Sequence, residues 1–171
     1  MNILVIGANG SGKSAYAERL AARLSETRYY IATMKPYGTE GAARVEKHIR
    51  QRESMGFTTL ELPCAVGNTE IPVNASVLLE DASNLLSNLM FEEGGTEADV
   101  FADITRLCEK AGHTVIVTIG SFDEGEYDAE TKEYIRAMER LNAQLRELAE
   151  LVVEMRAGMP VCVKGDGHAL D

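Results

Sequence analysis

The sequence predicts an α/β domain in three layers: a mostly parallel sheet with helices on both faces and an antiparallel C-terminal edge. Three observations predict it. The apolar run Ile3 to Ile6 feeds into Gly7-x-x-x-x-Gly12-Lys13-Ser14 and then into a helical pattern. Apolar runs of strand length at 76–80 and 114–118 each follow or precede amphipathic stretches of helix length, the alternation that generates a parallel sheet. Leu151 to Met155 and Pro160 to Lys164 are joined through Ala157 and Gly158, so they read as an antiparallel pair.

The first unit is a P-loop, which places the fold in the P-loop NTPase-like, RecA-like class. Gly7, Gly10 and Gly12, with Ala8, Asn9 and Ser11 between them, let backbone N–H groups turn inward around an anion. Lys13 can place its ammonium on the outer phosphates, and Ser14 can offer a hydroxyl to Mg²⁺. The following helix adds the positive end of its dipole. All these donors converge on one triphosphate. Ala15, Ala17, Leu20, Ala21 and Leu24 continue as an amphipathic helix, which a glycine-rich turn carrying Gly-Lys-Ser by chance would not require.

Tyr29 to Thr33 reads as the second strand from its aromatic and β-branched content. Ligands bind at the C-terminal edge of open parallel sheets, so Thr33 and Met34 lie beside the P-loop; a plain strand end is the equal alternative. Thr39 to Met55 reads as a helix with Thr39 as N-cap and Ala42, Val45 and Ile49 on its apolar stripe. Arg44, His48 and Arg52 fall at i, i+4 and i+8, flanked by Lys47 and Gln51. Taken alone this is a solvated charged face, and beside a P-loop it becomes a second phosphate contact. Phe57 to Glu61 alternates as a strand, and 63–75 is a short irregular or helical connection.

Ser76 to Asp81 is a buried strand ending in two carboxylates, Glu80 and Asp81. Glu80 is the candidate for holding Mg²⁺ at a strand end, and an acid pair opening the helix at 82–91 is the competing reading. After Gly94 and Gly95 a helix spans 97–112 with Val100, Ile104, Leu107 and Cys108 toward the core. Thr114 to Thr118 is the next strand; His113 lies at the opposite edge and reads as structural. The acidic loop 120–128 reads as solvated. A helix over 129–150 carries Ile135, Met138, Leu141, Leu145 and Leu148 on one stripe, and His168 lies in a polar tail where disorder is expected.

At 171 residues the chain is expected to form one nucleotide-binding transferase domain over 1–171. A net charge of −10 argues against a nucleic-acid partner, which calls for a basic stripe. Cys64, Cys108 and Cys162 are widely spaced and read as reduced core or near-core residues. A strand that starts at once leaves no room for a signal peptide, and no apolar run approaches the ~20 residues of a membrane span. The expectation is a soluble, cytoplasmic protein.

The P-loop, the Tyr30-Ile31-Ala32-Thr33 strand end, Arg44-Val45-x-x-His48 with Arg52, Thr59-Leu60-Glu61, Leu78-Leu79-Glu80 and Asn88 to Phe91 occur together in order. In this the chain resembles the bifunctional adenosylcobinamide kinase and adenosylcobinamide-phosphate guanylyltransferase family of cobalamin biosynthesis. The resemblance implies that His48 becomes guanylylated. It also implies that Ala32, Thr33, Met34, Ile49, Arg50, Gln51 and Arg52 contact guanine nucleotide, and that Glu61 and Glu80 complete the site. It further implies GTP or ATP as substrate with Mg²⁺, a corrinoid acceptor, and a homotrimer. Two rivals stand beside it: a monofunctional P-loop kinase or NTPase, and a nucleotide-binding regulatory protein that has lost its chemistry.

Overall fold

Seven strands, β1 (Asn2–Gly7), β2 (Arg28–Ala32), β3 (Phe57–Glu61), β4 (Ser76–Glu80), β5 (His113–Ile119), β6 (Leu151–Arg156) and β7 (Met159–Lys164), form one sheet. Their order is β3-β2-β4-β5-β1-β6-β7, and all pairs are parallel except β6 with β7. Among the described residues four α-helices of seven residues or more accompany them: α1 (Lys13–Leu24), α2 (Ala82–Asn88), α3 (Glu97–Lys110) and α4 (Ala129–Leu148). This is a computed structural model, and it describes residues 1–35, 46, 49–50, 52–122 and 125–170, with side chains through 168. The predicted helix at 39–55 therefore falls largely outside the described residues, although Glu46, Ile49, Arg50, Arg52 and Glu53 carry helical backbone.

Period-two alternation divides the core into two layers. Leu4, Ile6, Ile31, Val77, Leu79, Ile116 and Val152 point to one face, where Leu85 of α2, Ile104 and Leu107 of α3 and Met138 and Leu141 of α4 cover them. Ile3, Val5, Tyr30, Leu78, Val115, Val117 and Leu151 point to the other, under Ala17, Leu20 and Ala21 of α1. The small alanines let α1 lie close to the sheet, so the loop preceding it is held at the strand ends. Ala15, expected on the buried stripe, is exposed instead. It sits in the first turn, beyond the last row of the sheet.

Side chains fix most helix starts. Asp81 accepts from Asn84 N at 2.7 Å to open α2, and Asp128 accepts from Thr131 N at 2.7 Å to open α4. Thr96 and Asp99 form a reciprocal capping box at α3. Between β6 and β7 the turn consists of Ala157 (φ 48°) and Gly158 (φ 78°). Two successive positive φ values match the twist of a tight hairpin, which is why the edge is antiparallel. Cys162 is exposed on β7 rather than near-core, because an edge strand with one partner has no second layer over it. His168, expected in a disordered tail, lies in a single helical turn, Gly167–Leu170, and its N–H donates to Asp166. Among the described residues no helix is long and apolar enough to cross a membrane.

Candidate active site

The C-terminal ends of β1, β2, β3 and β4 surround a cavity of about 590 Å³. Asn9, Gly10, Lys13 and Ser14 of the P-loop line one side of it. Gly7 has no alternative residue here: a Cβ on it would lie 2.5 Å from Ser11 Oγ and 2.9 Å from Met155 Cβ. Gly12 stands at φ 83°, in the left-handed region, where the loop turns into α1. Ala8 and Ser11 close the loop through Ser11 N to Ala8 O at 3.2 Å. Lys13 is only 7% exposed, and its ammonium donates across the loop to Ala8 O at 3.2 Å.

Ser14 and Glu80 meet directly. Ser14 Oγ donates to Glu80 Oε1 at 2.6 Å, while Glu80 Oε2 is buried with no hydrogen-bond partner among the described residues. Burial pushes the Glu80 carboxyl up to about 7, with the nearby Asp81 charge adding to it and the Ser14 hydroxyl and Lys13 opposing. The two acids of the sequence thus have different fates. Asp81 turns back to cap α2, accepting from Ser83 Oγ at 2.5 Å as well as from Asn84 N, whereas Glu80 faces the P-loop hydroxyl. A hydroxyl and a carboxylate oxygen left without a donor form a hard-oxygen set of the kind that suits Mg²⁺.

The parallel register places Glu61, Ala32 and Glu80 in one row across β3, β2 and β4. Ala32, Met34 and Glu61 line the cavity accordingly. Thr33 does not. It is fully buried, its hydroxyl lies within hydrogen-bond distance of Glu80 O (3.0 Å) and Asp81 O (2.9 Å), and it accepts from Asp81 N at 2.8 Å. Its own N–H donates to Glu80 O. The second strand ends at Ala32 because Thr33 is bonded to the end of β4, and its side chain supports the acidic residues from below.

The other wall is formed by Ile49, Arg52 and Thr59. Ile49 lines the cavity, and Arg52 is 4% exposed with its guanidinium carbon 3.7 Å from the centroid of Tyr30. Tyr30 in turn packs edge-on against Phe57 at 6.2 Å. This corrects the solvated-face reading for Arg52, whose planar cation covers an aromatic ring instead of projecting into water. Arg50 does behave as a surface residue, exposed and ion-paired with Glu46 at 2.5 Å. Arg44, Lys47, His48 and Gln51 lie outside the described residues.

Tyr30, Glu18, Thr59 and Asn84 also line the cavity; Tyr30 and Thr59 were part of the family motifs but not expected in the site, and Glu18 and Asn84 were not singled out. Two signals for them existed. Glu18 follows Ser14 by one helical turn, and Tyr30 and Thr59 lie two residues before Ala32 and Glu61 on the same strand faces. Burial raises the Tyr30 hydroxyl far above its ordinary range, with Glu80 adding to the shift, so the ring works as a neutral platform.

The chain is 29% identical over 97% of its length to the bifunctional adenosylcobalamin biosynthesis protein CobP of Pseudomonas aeruginosa, covering 99% of that protein. It is 39% identical over 56% of its length to the bifunctional adenosylcobalamin biosynthesis protein CobU of Escherichia coli, covering 53% of it. Among solved structures, an ATPase from the type III secretion system of pathogenic bacteria superposes with a TM-score of 0.54 at 10% identity. That match covers 99% of this chain and 60% of the ATPase, a likeness of fold. The family model for cobinamide kinase / cobinamide phosphate guanyltransferase matches residues 3–163, and the chain belongs to that family.

Proposed function

We propose that the chain acts as a single domain over 1–171, phosphorylating adenosylcobinamide and then transferring GMP from GTP to the resulting phosphate, in the cytoplasm and as a homotrimer. One observation carries the proposal. The P-loop residues Lys13 and Ser14, the strand-end acid Glu80 and the helical residues Ile49 and Arg52 all line one cavity, and His48 immediately precedes Ile49 in the chain. The phosphate site thus shares its cavity with a residue next to the family's nucleophile position, which supports reading the two as one binding site.

Residues Gly7 to Ser14 hold the triphosphate, with Lys13 neutralising its outer charge. Ala32, Met34, Ile49, Arg52 and Glu61 face the nucleoside, Arg50 and Gln51 stand between Ile49 and Arg52 in the sequence, and Thr33 acts from beneath through the Glu80 and Asp81 backbone. Ser14 and Glu80 would hold Mg²⁺, which supplies charge neutralisation at the phosphates. In the kinase step the acceptor hydroxyl gives its proton to solvent as its oxygen bonds to the γ-phosphorus, the bond from that phosphorus to the β–γ bridging oxygen breaks, and the nucleoside diphosphate leaves. In the transfer step a nitrogen of His48 bonds to the α-phosphorus and pyrophosphate leaves. A phosphate oxygen of the corrinoid phosphate then displaces histidine, giving a corrinoid joined to GMP through a diphosphate.

Intact-protein mass spectrometry after incubation with GTP and Mg²⁺ alone tests this. The expected result is one acid-labile guanylyl addition per chain, absent in His48→Ala. Phosphoryl transfer to adenosylcobinamide with no adduct at all would reduce the protein to a kinase.

A further inference from the structure

Three aromatic rings sit just outside the nucleotide cavity, on the helical side of α2. Phe91 packs against Tyr134 at 6.0 Å between centroids, and Phe122 meets Tyr134 edge-on at 6.1 Å. They come from three separate segments: the turn after α2, the loop after β5, and α4. Phe91 is 47% exposed, one of few large apolar side chains on the described surface. Tyr134 and Phe122 are half-buried against the core, and Phe91 carries the aromatic surface outward from them, so the exposed ring stands on a fixed base.

A short hydrogen-bonded path joins this cluster to the phosphate site. Tyr134 OH donates to Ser83 O at 2.9 Å, Ser83 Oγ donates to Asp81, and Asp81 and Asn84 line the cavity. Asn84 lies in α2 and Phe91 in the π-helical turn, Leu89–Glu93, that continues it. A ligand spread over the cluster therefore has one edge near Ser83 and Asn84, at the rim of the nucleotide cavity.

We infer that the Phe91–Tyr134–Phe122 cluster is the platform on which the corrinoid ring of the acceptor lies, with its hydroxyl-bearing tail extending past Asn84 into the nucleotide cavity. The inference rests on the kinase and guanylyltransferase reading above. Size supports it: a cavity of about 590 Å³ is that of a single small ligand, so a nucleotide there leaves a macrocycle only the adjoining surface. Chemistry supports it as well. A corrinoid presents broad, methyl-bearing faces and uncharged edge amides, which aromatic rings contact well.

The test uses full-length protein and cyanocobinamide as the probe. Phe91→Ala should weaken cobinamide binding at least tenfold by equilibrium dialysis and leave GTP affinity within twofold. Phe91→Trp gives a protein with a single indole, since the chain has no tryptophan. Its emission should fall saturably on cobinamide titration, with the dissociation constant found by dialysis. Cobinamide affinity unchanged within twofold in Phe91→Ala, or indole emission that does not respond, overturns the platform while leaving the enzyme assignment intact. A changed assembly mass for Phe91→Ala in light scattering also overturns it, by making the patch a contact between copies. Wild-type protein that neither binds nor phosphorylates cobinamide removes the function and the platform together.

Discussion

Single side chains at this site act in pairs, which decides what each substitution costs. Lys13 is buried against its own loop, so Lys13→Ala removes a charge-assisted phosphate contact while α1 keeps Ala17, Leu20 and Ala21 in the core. Triphosphate affinity should fall about 10- to 100-fold, the equivalent of ~1.5–3 kcal/mol. Isothermal titration with GTP checks this, and undiminished affinity would refute the P-loop role. Glu80→Gln should reduce turnover across a magnesium titration by far more than it reduces nucleotide affinity, since the amide still accepts from Ser14 but brings no charge to a cation. Thr33→Val keeps the shape and removes the hydroxyl, leaving Asp81 N without its acceptor. Urea unfolding should show a loss of ~1–3 kcal/mol. The Ser14 and Glu80 pairing was legible because the motif and the strand end each constrain one partner. The burial of Thr33 and Arg52 was not. Where Thr33 points depends on where β4 ends, and a charge pattern cannot reveal that an aromatic ring 22 residues earlier in sequence lies beneath Arg52.

Elements are held in place by buried polar side chains that periodicity does not display. Asp103, on the core side of α3, accepts from Val66 N at 2.8 Å and Gly67 N at 2.9 Å, and Arg106 donates to it at 3.0 Å. It thereby ties the irregular connection between β3 and β4 to a helix. Asp103→Ala leaves two buried N–H groups without acceptors and should lower stability by ~2–4 kcal/mol in chemical denaturation, with Asp103→Asn losing less because one oxygen remains. Asn142 of α4 does the equivalent for β5, accepting from Thr118 Oγ1 and donating to Ile119 O, both at 2.8 Å. Strands and long helices were readable because apolar spacing is local. The antiparallel edge was readable too, since Ala157 and Gly158 leave a turn of two residues between β6 and β7. The connection held by Asp103 was not readable, because its partner lies 36 residues away.

At the scale of the whole molecule, ligand and fold are linked. A nucleotide that binds only the folded chain adds ~2.7 kcal/mol at a hundredfold excess over its dissociation constant. GTP with Mg²⁺ should therefore raise the melting temperature of the wild type, and a thermal shift of equal size in Lys13→Ala would place the ligand elsewhere. A light-scattering mass near three times the 18.6 kDa chain would support the trimer, and a monomer would exclude it. The α/β class was evident from alternating patterns, but the strand order was not, because it is set by pairings between distant segments. That order separates the P-loop from its support in time as well as in sequence. β1 pairs only with β5 and β6, which begin at residues 113 and 151, and never with its neighbours in sequence. At ~5–20 residues per second, a growing chain waits roughly 5 to 20 s between making its phosphate loop and making the first strand able to hold it. A ribosome-bound fragment ending before residue 113 should bind no nucleotide, so GTP retention distinguishes finished chains from abandoned ones.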